Sequence, residues 1–275
     1  MTREADEIGR AAAVDRRWYG EFELPPGHWR RWRVGPLELT VGHGEGEWRV
    51  WDREVGSLDA ADAVSEPLTQ APVMPEQIHA RRFVTADGAD RLELSPRMPD
   101  RAVVARPLEP VFIPGGETVR VFVTVPVFLA VWVDDRPLCE IPAHRPSDTW
   151  FGPSNVEGEV CYALRTRCRL GLEGQGVTPP YRAIVAVTVQ NRDLEPLALQ
   201  RLKVPVPLLG VHADAEGRLW TEAVTMVQES GGEAATLHLA EGVPTQAGRV
   251  EQLSPARETA PRRTMIRALG ALFGS

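Results

Sequence analysis

The longest apolar run of the chain, residues 121–133, constrains the fold more than any other stretch of the sequence. It reads Val-Phe-Val-Thr-Val-Pro-Val-Phe-Leu-Ala-Val-Trp-Val and lies between Arg120 and the turn sequence Asp134-Asp135-Arg136-Pro137. Both alternating faces of the run are apolar, which predicts a strand that is buried on both sides. A membrane-spanning helix needs about 20 apolar residues. Because Pro126 interrupts this shorter run, we predict two strand segments joined at a bulge or corner.

The composition is that of a soluble globular protein. The chain has 275 residues, of which 43% are hydrophobic and 25% are charged, and this length allows a large buried core. The net charge of −7 gives no general electrostatic support for nucleic-acid binding. The three cysteines are odd in number and lack Cys-x-x-Cys spacing, which argues against a disulfide framework and a structural zinc site. The first residues lack the apolar core of a signal peptide, so we expect a cytoplasmic protein.

Short apolar segments separated by glycine- and proline-rich turns continue through most of the chain. They predict an all-β fold of two packed β-sandwich-like units. The pattern of strand, Asn-containing turn and strand over residues 181–204 is typical of immunoglobulin-like sandwiches. The predicted organisation is an N-terminal arm (1–17), a first β domain (18–142), a second β domain (143–241), a linker (242–260) and a C-terminal helix (261–275).

The C-terminal helix is predicted from the spacing of apolar side chains in the tail. Its apolar face carries Met265, Ile266, Leu269, Leu272 and Phe273, and Arg262, Arg263 and Arg267 lie off that face. A short basic amphipathic helix of this kind binds a partner protein or an acidic membrane surface. The alternative is a helix that packs on its own domain.

Tryptophan and arginine alternate early in the chain, in the stretch Trp29-Arg30-Arg31-Trp32-Arg33. One interpretation is a stacking surface for single-stranded nucleic acid. The other is a strand with arginines outward and tryptophans inward. We favour the strand because the chain is acidic overall, and we expect no nucleic-acid partner.

Established catalytic and metal-binding motifs are missing from the sequence. The six histidines are scattered and form neither a His-x-His nor a His-Glu-x-x-His pattern. The segment Gly152-Pro-Ser154-Asn-Val156 is the nearest approach to a nucleophile elbow, and it fails at its last position. A dinucleotide-binding fingerprint is not found either. We therefore expect no metal and no cofactor.

The segment 144–159 is the candidate site. Carboxylates and a histidine in one loop are the groups needed for general acid–base chemistry, and two aromatic rings would form the wall of a ligand pocket. The alternative is a long connection whose aromatic side chains close the end of a sandwich. The candidate ligand-binding residues are His144, Asp148, Trp150, Phe151, Asn155, Glu157 and Glu159.

Two motifs in this segment carry a resemblance to a known family. Ser147-Asp-Thr-Trp-Phe-Gly-Pro153, followed by Glu157-Gly-Glu-Val-Cys-Tyr-Ala-Leu164, resembles the signature region of an uncharacterised prokaryotic family of domains of unknown function. The similarity runs from Trp18 to Leu239. The resemblance implies no established activity. It implies that the segment matters to the fold or to its use.

The leading functional prediction is a non-enzymatic binding or interaction protein. We expect it in the cytoplasm, peripheral to the inner membrane face through its tail. The alternative is a hydrolase or a carbohydrate-active enzyme that uses Asp148, Glu157 or Glu159. A nucleic-acid binder that uses residues 29–33 is the third hypothesis.

Overall fold

Strands make up nearly all of the regular structure in the computed structural model of the chain. It describes residues 17–58, 60–61, 63–72, 80–85, 89–107, 109–152, 154, 156–165, 169–171, 178–229, 235–259, 264–266 and 269–270. Among these residues the only helices are the three-residue 3-10 turns Val206–Leu208 and Thr245–Ala247. The predicted all-β fold is confirmed.

The strands of the first half of the chain are β1 (Gly20–Glu23), β2 (Trp29–Val34), β3 (Leu37–His43), β4 (Glu47–Glu54), β5 (Ala63–Leu68), β6 (Arg81–Val84), β7 (Arg91–Arg97), β8 (Val103–Arg106), β9 (Val111–Ile113), β10 (Thr118–Pro126), β11 (Phe128–Val133) and β12 (Arg136–Pro142). Those of the second half are β13 (Asp148–Phe151), β14 (Glu159–Arg165), β15 (Arg182–Asn191), β16 (Leu197–Leu199), β17 (Arg201–Val204), β18 (Val211–Asp214), β19 (Leu219–Trp220), β20 (Val224–Gln228), β21 (Ala235–Leu239), β22 (Val250–Ser254), β23 (Thr264–Ile266) and β24 (Leu269–Gly270).

The apolar run forms β10 and β11, and Pro126 ends the first of them as predicted. β10 pairs with β15 in the eight-stranded sheet, whose path is β22-β18-β19-β15-β20-β21-β23. β11 belongs to the four-stranded sheet β1-β7-β11-β12, so the chain changes sheet at Val127. Asp134 and Asp135 both have positive φ angles, 45° and 64°, as a two-residue hairpin turn requires.

Two five-stranded sheets complete the main architecture. We call the first, β5-β2-β3-β4-β6, the tryptophan sheet, because it carries four tryptophans. We call the second, β13-β14-β8-β17-β24, the hairpin sheet. β9 and β16 form a separate two-stranded pair. One large buried cluster joins the sheets, and it includes Leu39, Leu129, Val187 and Leu202 from four of them.

The prediction of a C-terminal helix is wrong for the described residues of the tail, which form strands. Thr264–Ile266 forms β23 on the edge of β21, and Leu269–Gly270 forms β24 on the edge of β17. A short helix is marginal in water, whereas an open sheet edge offers unpaired N–H and C=O groups to any nearby segment. The tail residues Arg262, Arg263, Leu272 and Phe273 lie outside the described residues.

The strand pairing also departs from the immunoglobulin-like prediction. An immunoglobulin sandwich is built from two antiparallel sheets. Here β15 pairs in parallel with both β19 and β20, and β14 pairs in parallel with β8. Pairing crosses the predicted boundary after residue 142, because β10 lies on one side of it and β15 on the other. The division into two domains stays a prediction.

Candidate functional site

The predicted site segment folds into the hairpin β13–β14 at one edge of the hairpin sheet. Trp150 lies opposite Val160, and Phe151 lies opposite Glu159. Since successive side chains of a strand point to opposite faces, these two cross-strand pairs lie on opposite faces of the hairpin. Asn155 lies outside the described residues.

The carboxylates of the segment do not converge. Asp148 lies opposite Tyr162, which places it on the other face of the hairpin from Glu159. Each of the two has its own cation: Arg101 Nη1 lies 3.4 Å from Asp148, and the amine of Lys203 pairs with Glu159. Glu157 is exposed in the connecting turn. The arrangement therefore separates Asp148 from Glu159.

His144 lies away from the hairpin. Its Nδ1 is 3.2 Å from a carboxylate oxygen of Glu54, at the end of β4. This contact joins the segment before the hairpin to the tryptophan sheet. The structure therefore gives His144 a contact between elements and does not place it with the other predicted site residues.

Phe151 is buried on the outer face of the hairpin sheet. It forms a small apolar cluster with Ala102, Val104 and Cys161, separate from the main core. Burial raises the pKa of the Cys161 thiol to about 11, which keeps the thiolate form scarce at neutral pH. Two cations cover the Phe151 ring, with Arg201 Cζ 5.0 Å and Lys203 Nζ 5.8 Å from its centroid.

Arg201 has a neighbour of the same charge. Leu202 lies opposite Ala105, which sets Arg201 beside Arg106 on the adjacent strand; we call these two residues the arginine pair. Among the described residues neither forms a salt bridge with a carboxylate. Burial first, and then the charge of Arg106, lowers the pKa of the Arg201 guanidinium. Two adjacent cations without a counter-charge favour an anion between them.

One donor of Arg201 also lacks an acceptor. Its Nη2 donates a hydrogen bond to the backbone oxygen of Trp150, at 2.6 Å, but its Nε is buried without a partner in the described structure. A buried donor without an acceptor costs about 1–3 kcal/mol. Sequence analysis missed the arginine pair because Arg106 and Arg201 lie on distant segments that only the fold brings together.

Beside the arginine pair, the hairpin exposes three apolar side chains, Trp150, Val156 and Val160, which we call the apolar tip. Their exposed fractions are 39%, 90% and 46%. The Trp150 indole N–H donates to the backbone oxygen of Ser154 at 2.8 Å, and a Cβ at Gly158 would lie 2.7 Å from its ring. The local backbone thus fixes the position of this exposed ring.

The model of one protein family matches residues 18–272, and its description is "Protein of unknown function (DUF432)". The chain belongs to this family. The match confirms the resemblance noted in the hairpin sequence and extends it to the tail strands of the DUF432 chain. No curated protein and no solved structure matches the chain. The family membership supplies no activity for the arginine pair.

The tryptophan sheet of the DUF432 chain bears on the nucleic-acid hypothesis. Trp32 is fully buried in the main core, whereas Trp29, Arg31 and Arg33 lie on the opposite face. The arginines of that face are paired with carboxylates, which leaves little free positive charge for phosphates. The ion pairs are Arg31–Glu66, Arg33–Glu38, Arg53–Glu38, Arg49–Glu47 and Arg82–Glu47.

The described part of this DUF432 chain shows neither a metal-binding cluster nor a membrane-spanning helix. No group of three or more His, Cys, Asp or Glu side chains there is arranged to hold a metal ion. Within the same residues, no helix is both long and apolar enough to cross a membrane.

Proposed function

We propose that the protein is a non-enzymatic binding protein that holds an anionic group at the arginine pair, Arg106 and Arg201. The observation that carries this proposal is the buried Nε of Arg201, which has no acceptor among the described residues and lies beside a second cation, Arg106. A guanidinium presents a planar fork of donors that matches a carboxylate or a phosphate group. An oxyanion at this place would accept the unpaired hydrogen bond and offset the repulsion between the two cations.

The net negative charge of the chain argues against general, non-specific binding of anions. With a net charge of −7, the protein as a whole repels anions, so binding would depend on local contacts. The hydrolase alternative relied on Asp148, Glu157 and Glu159. Asp148 and Glu159 lie on opposite faces and each is paired with a cation, which argues against these two carboxylates acting together on one substrate.

Two expectations from the sequence stay predictions. One is the cytoplasmic location. The other is a partner protein or a membrane surface bound through the tail residues Arg262, Arg263, Met265, Ile266, Leu269, Leu272 and Phe273. The described tail segments, Thr264–Ile266 and Leu269–Gly270, are strands. Binding through these residues would therefore not involve a helix.

Titration calorimetry with inorganic phosphate and with citrate tests the proposal. The wild-type chain should bind at least one of these anions saturably. R106Q and R201Q should each weaken that affinity about tenfold or more, because a hydrogen bond to a charged group contributes about 1.5–3 kcal/mol. R120Q is the matched control, since Arg120 is an exposed arginine of β10 whose Nε donates to Thr188.

The control should bind the anion like the wild type. Absence of saturable binding for both anions would contradict the proposal. So would equal affinities in the wild type, R106Q and R201Q. Thermal unfolding of each variant checks that the substitutions leave the fold intact.

A further inference from the structure

We infer that the anionic group is presented by a membrane: the hairpin β13–β14 docks on an anionic bilayer, with the arginine pair on lipid headgroups and the apolar tip at the acyl boundary. This inference rests on the anion binding proposed above. It joins two features of one hairpin, a cation site without a counter-charge and a set of apolar side chains exposed to water.

The shape of the apolar tip favours a bilayer over a flat protein surface. Val156 lies in the turn and is 90% exposed, while Trp150 and Val160 are cross-strand partners just behind it. A turn side chain as exposed as Val156 is buried only by a deep groove or by a deformable surface. A bilayer interface is deformable, and tryptophan is a favoured residue at the level of the lipid headgroups.

Arg201 of the arginine pair lies at the base of the tip, and Arg106 lies beside Arg201 on the adjacent strand. Arg201 donates to the backbone oxygen of Trp150 at 2.6 Å and covers the ring of the next residue, Phe151. Trp150 and Val160 face the other side of the hairpin from Phe151, so the hairpin would enter the interface edge-on. Apolar faces of interfacial proteins reach about 5–10 Å into the boundary between headgroups and acyl chains, which would leave Arg201 at phosphate level.

The charges nearby predict weak and salt-sensitive docking. Glu159 pairs with Lys203, and Glu157 follows Val156 directly in the turn and is exposed. A carboxylate there opposes an anionic surface. Removing its charge should therefore strengthen docking. Added salt should weaken docking, because the ions screen the attraction between the arginines and the anionic headgroups.

Co-sedimentation of the full chain with vesicles tests the inference. The wild type should sediment with vesicles of equal parts phosphatidylglycerol and phosphatidylcholine, and not with phosphatidylcholine alone. R106Q and R201Q should each weaken the partition coefficient about fivefold. V156S should also weaken it about fivefold, and E157Q should strengthen it. L194S is the matched control, because Leu194 is a turn leucine that is 92% exposed elsewhere in the fold.

The outcomes separate this inference from the proposal on which it rests. If phosphate or citrate binds but anionic vesicles do not, the docking inference fails and the proposed function stands. If neither binds, both fail. Vesicle binding that survives V156S and R106Q, or that is lost equally in L194S, overturns the inference. Binding that disappears only on deletion of residues 261–275 would assign the membrane contact to the tail instead.

Discussion

At Gly42, the tryptophan sheet leaves room for an indole ring on its outer face. Trp29 lies directly opposite Gly42, and a Cβ there would come within 1.8 Å of the ring atoms Cε3 and Cζ3. The ring also meets Trp51, with a centroid separation of 5.0 Å. Both tryptophans are buried although they lie on the outer face, so a side chain as small as hydrogen at position 42 is part of the packing.

G42A should therefore destabilise the fold. The added methyl group must displace the Trp29 ring, and overpacking of this kind costs about 1–3 kcal/mol. Urea denaturation followed by tryptophan fluorescence measures the change in the free energy of unfolding. G242A is the control, because Gly242 is exposed and a Cβ there would meet nothing within 4 Å. Equal stabilities of G42A and the wild type would show that the ring has an alternative position.

The arginine pair shows why the site was harder to predict than its surroundings. Trp150, Phe151 and Glu159 were predicted as candidates because they are neighbours in sequence, and the fold does place them on one hairpin. The residues that change its chemistry, Arg106 and Arg201, come from β8 and β17. No local pattern marks either one, since an arginine on a strand is most often a solvated or ion-paired side chain.

Among the elements, β15 has the most central position. It pairs with β10 along nine residues on one side, and with β19 and β20 on the other. Sequence analysis found β10 and β11 because local rules apply there: Pro126 removes a donor at the end of β10, and the two aspartates after β11 adopt a hairpin turn. The tail helix was wrong because periodicity describes one segment alone, whereas β23 and β24 are fixed by the distant edges of β21 and β17.

Hydrogen exchange should reflect this difference between central and edge strands. Amides of β15 that bond to strands on either side should exchange more slowly than those of the edge strand β6 by at least a factor of about ten. Mass spectrometry of deuterated peptides measures both in one experiment. Similar exchange rates for the two strands would contradict the central role of β15.

For the whole molecule, strand pairing makes the two halves of the chain depend on each other. β8 lies between β14 and β17, and β10 pairs with β15. These two strands of the first half therefore have their partners in the second half. The main buried cluster also takes residues from both halves, including Val123 and Val185. The sequence predicted packed β units but gave no measure of how far pairing crosses between them, because register depends on contacts distant in sequence.

A fragment of residues 18–142 should therefore not fold alone. It would leave β8 and β10 without their partners and expose the apolar residues that they bury. Circular dichroism during heating should show a single cooperative transition for the full chain and none for the fragment. A cooperative transition in the fragment would instead support the predicted first domain as an independent unit.

Lys203 is the only lysine of the chain, and its amine is buried in a pair with Glu159. Among side chains, reagents that acylate amines therefore have this one target. Acylation requires the ammonium group to leave the carboxylate, lose its proton and meet the reagent, so the contacts of Lys203 with Glu159 and the Phe151 ring must open first. The rate of acylation at Lys203 thus reports how often these contacts open in the intact protein, without any label being introduced by mutation.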